Sequence, residues 1–225
     1  MVAIVKNMFA KKHEISHALS NPTTPEQVEQ IVFNEAFSTY FEIIPDNGYI
    51  KPYFDFDCDK VSQSDFLSRK TEVFETAKKQ VSELGFTDVC WAERHGKSTK
   101  DDTLLKISYR AFAQDLKTTK EDLKHVVSHF AKSNDYIDPK PYSRERKMGL
   151  VGCIKSREDP RTLKKLGDYE WKKTLISWVD ESLPIWKPAE NTSKSVTKEL
   201  IQEKKRDEFP KVDAQTIMEL VPDLK

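Results

Sequence analysis

Two acids set in a short aromatic run are the residues of this sequence best placed to do chemistry. In Lys51-Pro52-Tyr53-Phe54-Asp55-Phe56-Asp57-Cys58 the pattern repeats every two residues, as a strand does. Asp55 and Asp57 therefore face one way, and Phe54 and Phe56 the other. Their Cα atoms stand roughly 7 Å apart, and two carboxylates on one face repel unless a cation neutralises them. Hard oxygen donors at that separation suit Mg²⁺ or Mn²⁺, which take carboxylates together with substrate phosphates. The same spacing also suits a half-buried strand with a solvated acidic face. A third acid distinguishes the two, and Asp135 and Asp138 are the downstream candidates.

About fifty residues on, Lys106-Ile107-Ser108-Tyr109-Arg110 alternates in the same way, with three polar side chains on one face and two apolar ones on the other. The charges of the chain are unevenly placed. Glu42 to Lys60 holds five acids against two lysines, and Pro139 to Lys165 holds nine bases against three acids, a local charge of 9 − 3 = +6. The formal net charge of zero, from 37 Lys+Arg and 37 Asp+Glu, is thus a cancellation. An acidic focus and a basic stretch can hold a metal and polyanions on different parts of one cleft. Arg94, His95 and Ser98 lie in a polar loop ahead of Lys106, another place able to touch phosphate.

The elements that must position these groups belong to a chain of 225 residues, enough for one domain or a two-lobed unit with a real core. Twelve Phe, seven Tyr and four Trp exclude a disordered composition. No run approaches the roughly 18 apolar residues of a membrane span. Lys6, Lys11, Lys12, His13 and Glu14 interrupt any signal-peptide core. Cys58, Cys90 and Cys153 form neither a disulfide framework nor a four-ligand zinc site. His125 and His129 are four apart, without the further ligand a zinc site needs, and suit a solvated helix face.

Thr24-Pro25-Glu26-Gln27 predicts a helix start. Tyr40–Ile44 and Ile50–Phe56 predict a hairpin turning on Asn47-Gly48, and Ser64–Leu84 a helix stopped by Gly85. Strands follow at Asp88–Ala92 and Leu104–Phe112, then a helix at Thr119–Ala131 opened by Thr119 and Asp122. Short strands at Tyr136–Asp138 and Gly149–Ile154 flank the basic loop. Trp171–Val179 reads as helical, with Trp171 and Trp178 on one face as core. Pro184–Ser195 reads as a linker, and Val196–Glu208 as a charged helix. The order predicts an α+β sheet domain over residues 1–187 and a charged linker or tail over 188–225.

Three segments together resemble the catalytic motifs of archaeo-eukaryotic primases, most closely the PrimPol-like branch that includes primases of large DNA viruses. Tyr40–Asp57 is similar to the first motif, Lys106-Ile107-Ser108-Tyr109-Arg110 to the second. Ile137-Asp138 with Tyr142-Ser143-Arg144-Glu145-Arg146 and Lys155 is similar to the third. The likeness spans roughly residues 36–157. It implies a mixed or antiparallel sheet with a palm resembling an RNA-recognition motif, flanked by helices, and template-dependent nucleotidyl transfer to a 3′-hydroxyl. By that resemblance Asp55, Asp57 and Asp138 would hold two Mg²⁺ or Mn²⁺ ions, while Lys106, Ser108, Arg110, Arg146 and Lys155 would grip the nucleotide phosphates. Implied partners are a single-stranded DNA template, a primer strand and an NTP or dNTP, with a replicative helicase domain or single-strand-binding protein beside them. No membrane is implied, and the place of action is intracellular, the nucleus or a viral replication site. Two departures stand out. Arg110 replaces the family's usual His and cannot act as a neutral imidazole, and the zinc segment that often follows the core has no residues here. A primase-like module that binds nucleotide or DNA without polymerising is the alternative.

Overall fold

The aromatic run around Phe54 and Phe56 is a strand, and its neighbours in sequence order explain why it lies innermost. The computed structural model describes residues 4–10, 13–18, 24–34, 39–133, 136–143 and 146–188, all within the unit Met1–Pro188. The first elements are β1 (Ile4–Ala10), β2 (His13–Ala18), α1 (Pro25–Asn34), β3 (Tyr40–Ile43), β4 (Tyr49–Ile50), β5 (Tyr53–Val61) and α2 (Phe66–Glu83). They are followed by β6 (Val89–Glu93), β7 (Gly96–Lys97), β8 (Leu105–Ala113), β9 (Thr118–Thr119), α3 (Lys120–Ser133), β10 (Lys147–Gly149) and β11 (Lys164–Leu166). The class is α+β, as predicted, and every strand pairing is antiparallel. No helix among the described residues is long and apolar enough to cross a membrane.

One sheet runs β11-β6-β8-β5, with β7 also on β8; a second runs β10-β3-β1-β2; β4 and β9 form a third. On the first sheet Phe54, Phe56, Ile107, Tyr109 and Ala111 are buried on the face away from Asp55 and Asp57. There α2 covers them: Phe74 stacks on Tyr109 with centroids 4.7 Å apart and meets Trp91 edge-on at 5.2 Å. Each fully buried Phe is worth about 1.5–3 kcal/mol, so the aromatic layer fixes which face of β5 is left for the acids. Helix starts follow the predicted caps. The Gln27 N–H donates to Thr24 Oγ1 at 3.4 Å while the Thr24 N–H donates to Gln27 Oε1, a reciprocal capping box. The Asp122 N–H donates to Thr119 Oγ1 at 3.1 Å.

The hairpin predicted across Asn47-Gly48 does not form, because β3 and β5 lie in different sheets. Both edges of β5 are occupied, by β8 on one side and by residues 136–138 on the other, where the Asp57 N–H donates to Tyr136 O at 2.7 Å and the Asp138 N–H to Asp55 O at 2.8 Å. The turn instead carries β4 onto β9, where Lys120 Nζ meets Asp46 Oδ1 at 2.6 Å.

The predicted helix over Trp171–Val179 shrinks to one 3₁₀ turn, Trp171–Thr174. The reason is the buried carboxylate of Glu42: the N–H groups of Ile176 and Ser177 donate to it at 2.9 and 2.6 Å, and so are lost to any helix. Burial pushes the Glu42 carboxyl up, against the pull of these donors and of Lys51. Trp171 is buried with its Nε1–H on Val151 O, whereas Trp178 is exposed, so only the first is core. Pro184–Trp186, read as linker, is docked: the Lys117 N–H donates to Pro184 O and the Trp186 Nε1–H to Leu84 O. The expected tail from 189 on, with its Val196–Glu208 helix, lies outside the described residues.

Candidate functional site

The register of β5 on β8 decides what the acids meet. Asp55 lies directly opposite Arg110 and Asp57 opposite Ser108, pairs close enough for their side chains to touch. Arg110 holds Asp55 as a fork, Nε to Oδ1 at 2.6 Å and Nη2 to Oδ2 at 3.2 Å, and its Nη1 donates to Gly149 O at 2.7 Å. Lys106 Nζ reaches Asp57 Oδ2 at 2.7 Å and Asp59 Oδ1 at 3.1 Å. The third acid arrives through the backbone. Ile137 bridges Phe56 on the edge of β5 away from β8, so that Asp138 follows beside Asp55. Asp138 Oδ1 then accepts the Lys140 N–H at 2.9 Å, turning the chain away.

A cleft of about 580 Å³ opens over this face, within the usual range for a small-ligand pocket. All eight predicted site residues line it: Asp55, Asp57, Asp138, Lys106, Ser108, Arg110, Arg146 and Lys155. Asp135, Arg144 and Glu145 lie outside the described residues. The electrostatics follow from the pairing. Burial pushes the Asp57 carboxyl up, but the Lys106 ammonium and the Ser108 hydroxyl outweigh it and hold the group below the usual carboxylate range. Burial likewise works against the charge on Arg110, and the Asp55 carboxylate more than restores it.

Seven further residues of the cleft carry charge that the motifs did not single out as site residues, and four of them are built into its walls. Asp59 shares Lys106. Asp159, buried, takes Arg161 as a fork at 2.6 and 2.7 Å. Arg94 stands one strand beyond Ser108, its N–H on Ser108 O at 2.9 Å. Arg94 was within reach of sequence reasoning as part of the polar loop. Asp159-Pro160-Arg161 gave only the signal of an acid and a base two apart in a loop. Behind β8, His95 Nδ1 accepts the Ser108 N–H at 3.2 Å while Nε2 meets Glu93 Oε2 at 2.9 Å. That arrangement sets the tautomer, with the proton on Nε2 shared with Glu93. Burial lowers the His95 ring below its ordinary value despite Glu93.

Carboxylate oxygens without a soft donor among them fit a hard divalent cation in kind. Their present partners are cationic side chains, and among the described residues no three acid, His or Cys groups converge on one point. A cation at Asp55 or Asp57 would therefore take the place now held by Arg110 or Lys106. No protein-family model matches the chain, and no curated protein matches it.

Proposed function

We propose that this cleft carries template-directed nucleotidyl transfer of the primase-polymerase type, on a core of the archaeo-eukaryotic primase kind. The observation that carries it is a shared lining: three acids from two separated segments face one cleft with basic side chains from other segments. Asp55, Asp57 and Asp138 would hold the divalent cation. That ion, when bound, lowers the pKa of the attacking 3′-hydroxyl and neutralises the triphosphate. The chain's own residues do the rest. Ser108 and Lys106 orient the phosphates beside the acids, Arg146 and Lys155 grip them from elsewhere in the cleft lining, and Arg110 holds Asp55 in place through its fork. Chemistry of this kind is mostly positioning and charge stabilisation.

The test is extension of a primed single-stranded DNA template with NTPs or dNTPs and Mg²⁺ or Mn²⁺. Primer growth is expected, and a double Asp55→Asn, Asp57→Asn protein that keeps its circular-dichroism spectrum should lose it. Metal-dependent growth retained in that variant refutes the assignment. A second possibility is favoured by the ion pairs themselves: with Asp55 and Asp57 already neutralised, the cleft suits a module that binds nucleotide or DNA without polymerising. It is distinguished by nucleotide binding without primer growth.

A further inference from the structure

Nine bases and five acids line the cleft, and the ion pairs leave a specific part of that excess unmatched. Arg110, Lys106 and Arg161 have acid partners. Arg94 has none: among the described residues its guanidinium makes neither a hydrogen bond nor an ion pair, although it is half-buried. Arg161, though forked on Asp159, keeps Nη1 buried with no partner. A buried guanidinium donor left unmade costs free energy, and an anion is what relieves it.

The two arginines are built into place. In the sheet, Ala92 pairs with Arg110, so Arg94 falls on the same face as Ser108 and Asp57 and continues their row across the strands. Two inter-strand spacings separate Arg94 from Asp57, roughly 10 Å. Arg161 is held by its chain and by its neighbour. The bridge between Ile154 and Thr162 closes the loop that bears Lys155 and Arg161. Gly96, at φ +140°, lets the stem of Arg161 lie against the backbone, since a Cβ there would stand 3.1 Å from Arg161 Cδ. Beside them the loop after Gly96 is closed by the Ser98 N–H on Leu104 O at 2.9 Å.

We infer that Arg94 and Arg161 form a seat for the distal phosphates of a polyphosphate chain, the end remote from the acids of β5. The inference rests on the nucleotide-binding function proposed above and names which residues take the phosphate end. Lys106, held between Asp57 and Asp59, serves the phosphates nearest the acids. The outer phosphates go to Arg94 and Arg161, which, like Arg146 with its buried and unpartnered Nε, still have donors to offer. A chain of linked phosphates matches a seat one or two strands away from the reacting end, whereas a single phosphate cannot span that distance.

Calorimetric titration of the whole protein with inorganic tripolyphosphate tests this without requiring catalysis. Arg94→Gln and the pair Arg161→Gln with Asp159→Asn, which leaves no lone acid behind, should each weaken binding at least tenfold, the loss expected for charge-assisted hydrogen bonds. Lys100→Gln, an exposed lysine on the rim, should change it less than threefold. Equal losses in all three proteins mean diffuse attraction and overturn the seat, as does wild-type affinity in the Arg94 and Arg161 variants. Tripolyphosphate binding that depends on the two arginines in a protein that extends no primer leaves the seat standing and removes the polymerase function. Primer extension whose nucleotide KM ignores both variants does the reverse.

Discussion

Arg110→Met is the perturbation whose consequence the structure fixes most tightly. The Arg110 side chain is 6% exposed and Asp55 15%, so the pair sits where solvent screens little. Truncating one partner of such a pair costs about 3–5 kcal/mol, because the other charge is left buried and alone. At about 2–4 °C per kcal/mol for a domain of this size, the melting temperature should fall by about 6–20 °C. The cause is separable from lost packing by a cycle of four proteins: wild type, Asp55→Leu, Arg110→Met and the double variant, each unfolded in urea. Removing both charges together is often nearly neutral, so the double variant should lie within about 1 kcal/mol of wild type and well above Arg110→Met. Unchanged m-values would show that the unfolded state is not the source. A loss below about 1 kcal/mol in Arg110→Met, or a double variant no better than that single one, would refute the argument. Mn²⁺ adds a further arm. With the guanidinium gone Asp55 lacks a counter-ion, so the metal should raise the melting temperature of Arg110→Met more than that of wild type.

Gly152→Ala should destabilise by about 2–4 kcal/mol in urea unfolding, since Gly152 sits at φ +94° and an added Cβ would stand 2.9 Å from Val32 Cγ1. Wild-type stability would mean that α1 can shift aside freely. Lys51 is buried with its Nζ on the carbonyls of Lys172 and Lys173, and burial pulls it from 10.5 down to about 8, with Glu42 opposing. The unfolded chain then binds more protons between those two values, so stability should rise as pH goes from about 8 to about 10.5, by up to about 3 kcal/mol. Lys51→Met should flatten that rise, and an unchanged pH profile in the variant would show that the rise belongs to other groups.

The parts of the fold legible in the sequence are those where one local pattern governs. Alternation made β5 and β8 strands with the right faces, and Thr24 and Thr119 marked their helices through capping that depends on three neighbouring residues. The cleft followed, because residues two apart on a strand share a face whatever the strand pairs with. What was hidden depended on distant partners. The sequence near Asn47-Gly48 has turn chemistry, but only the occupied edges of β5 deny it a hairpin. Trp171–Val179 has helical spacing, but Glu42, some 130 residues earlier in the chain, takes its N–H groups. The β1–β2 hairpin carries no strong turn signal. Arg161 was invisible because its place is set by Asp159 and by the missing Cβ of Gly96. Lys106 and Arg110 lie on the strand face that alternation predicts, yet alternation could not say that they would meet the acids across the strand.

That meeting has a consequence for how the sheet finds its alignment. Sliding β5 along β8 by two residues would keep every apolar side chain on its own face, so the hydrophobic pattern alone tolerates the error. Slid one way, Arg110 would face Tyr53; slid the other, Asp55 would face Phe112. Each misalignment strands a charge in an apolar setting at a cost of several kcal/mol. Only the native alignment gives both Asp55 and Asp57 a cationic partner. The residues lining the cleft thus also act as the sheet's alignment key, and a variant that discharges them to test chemistry will also loosen the choice of partner along the strand.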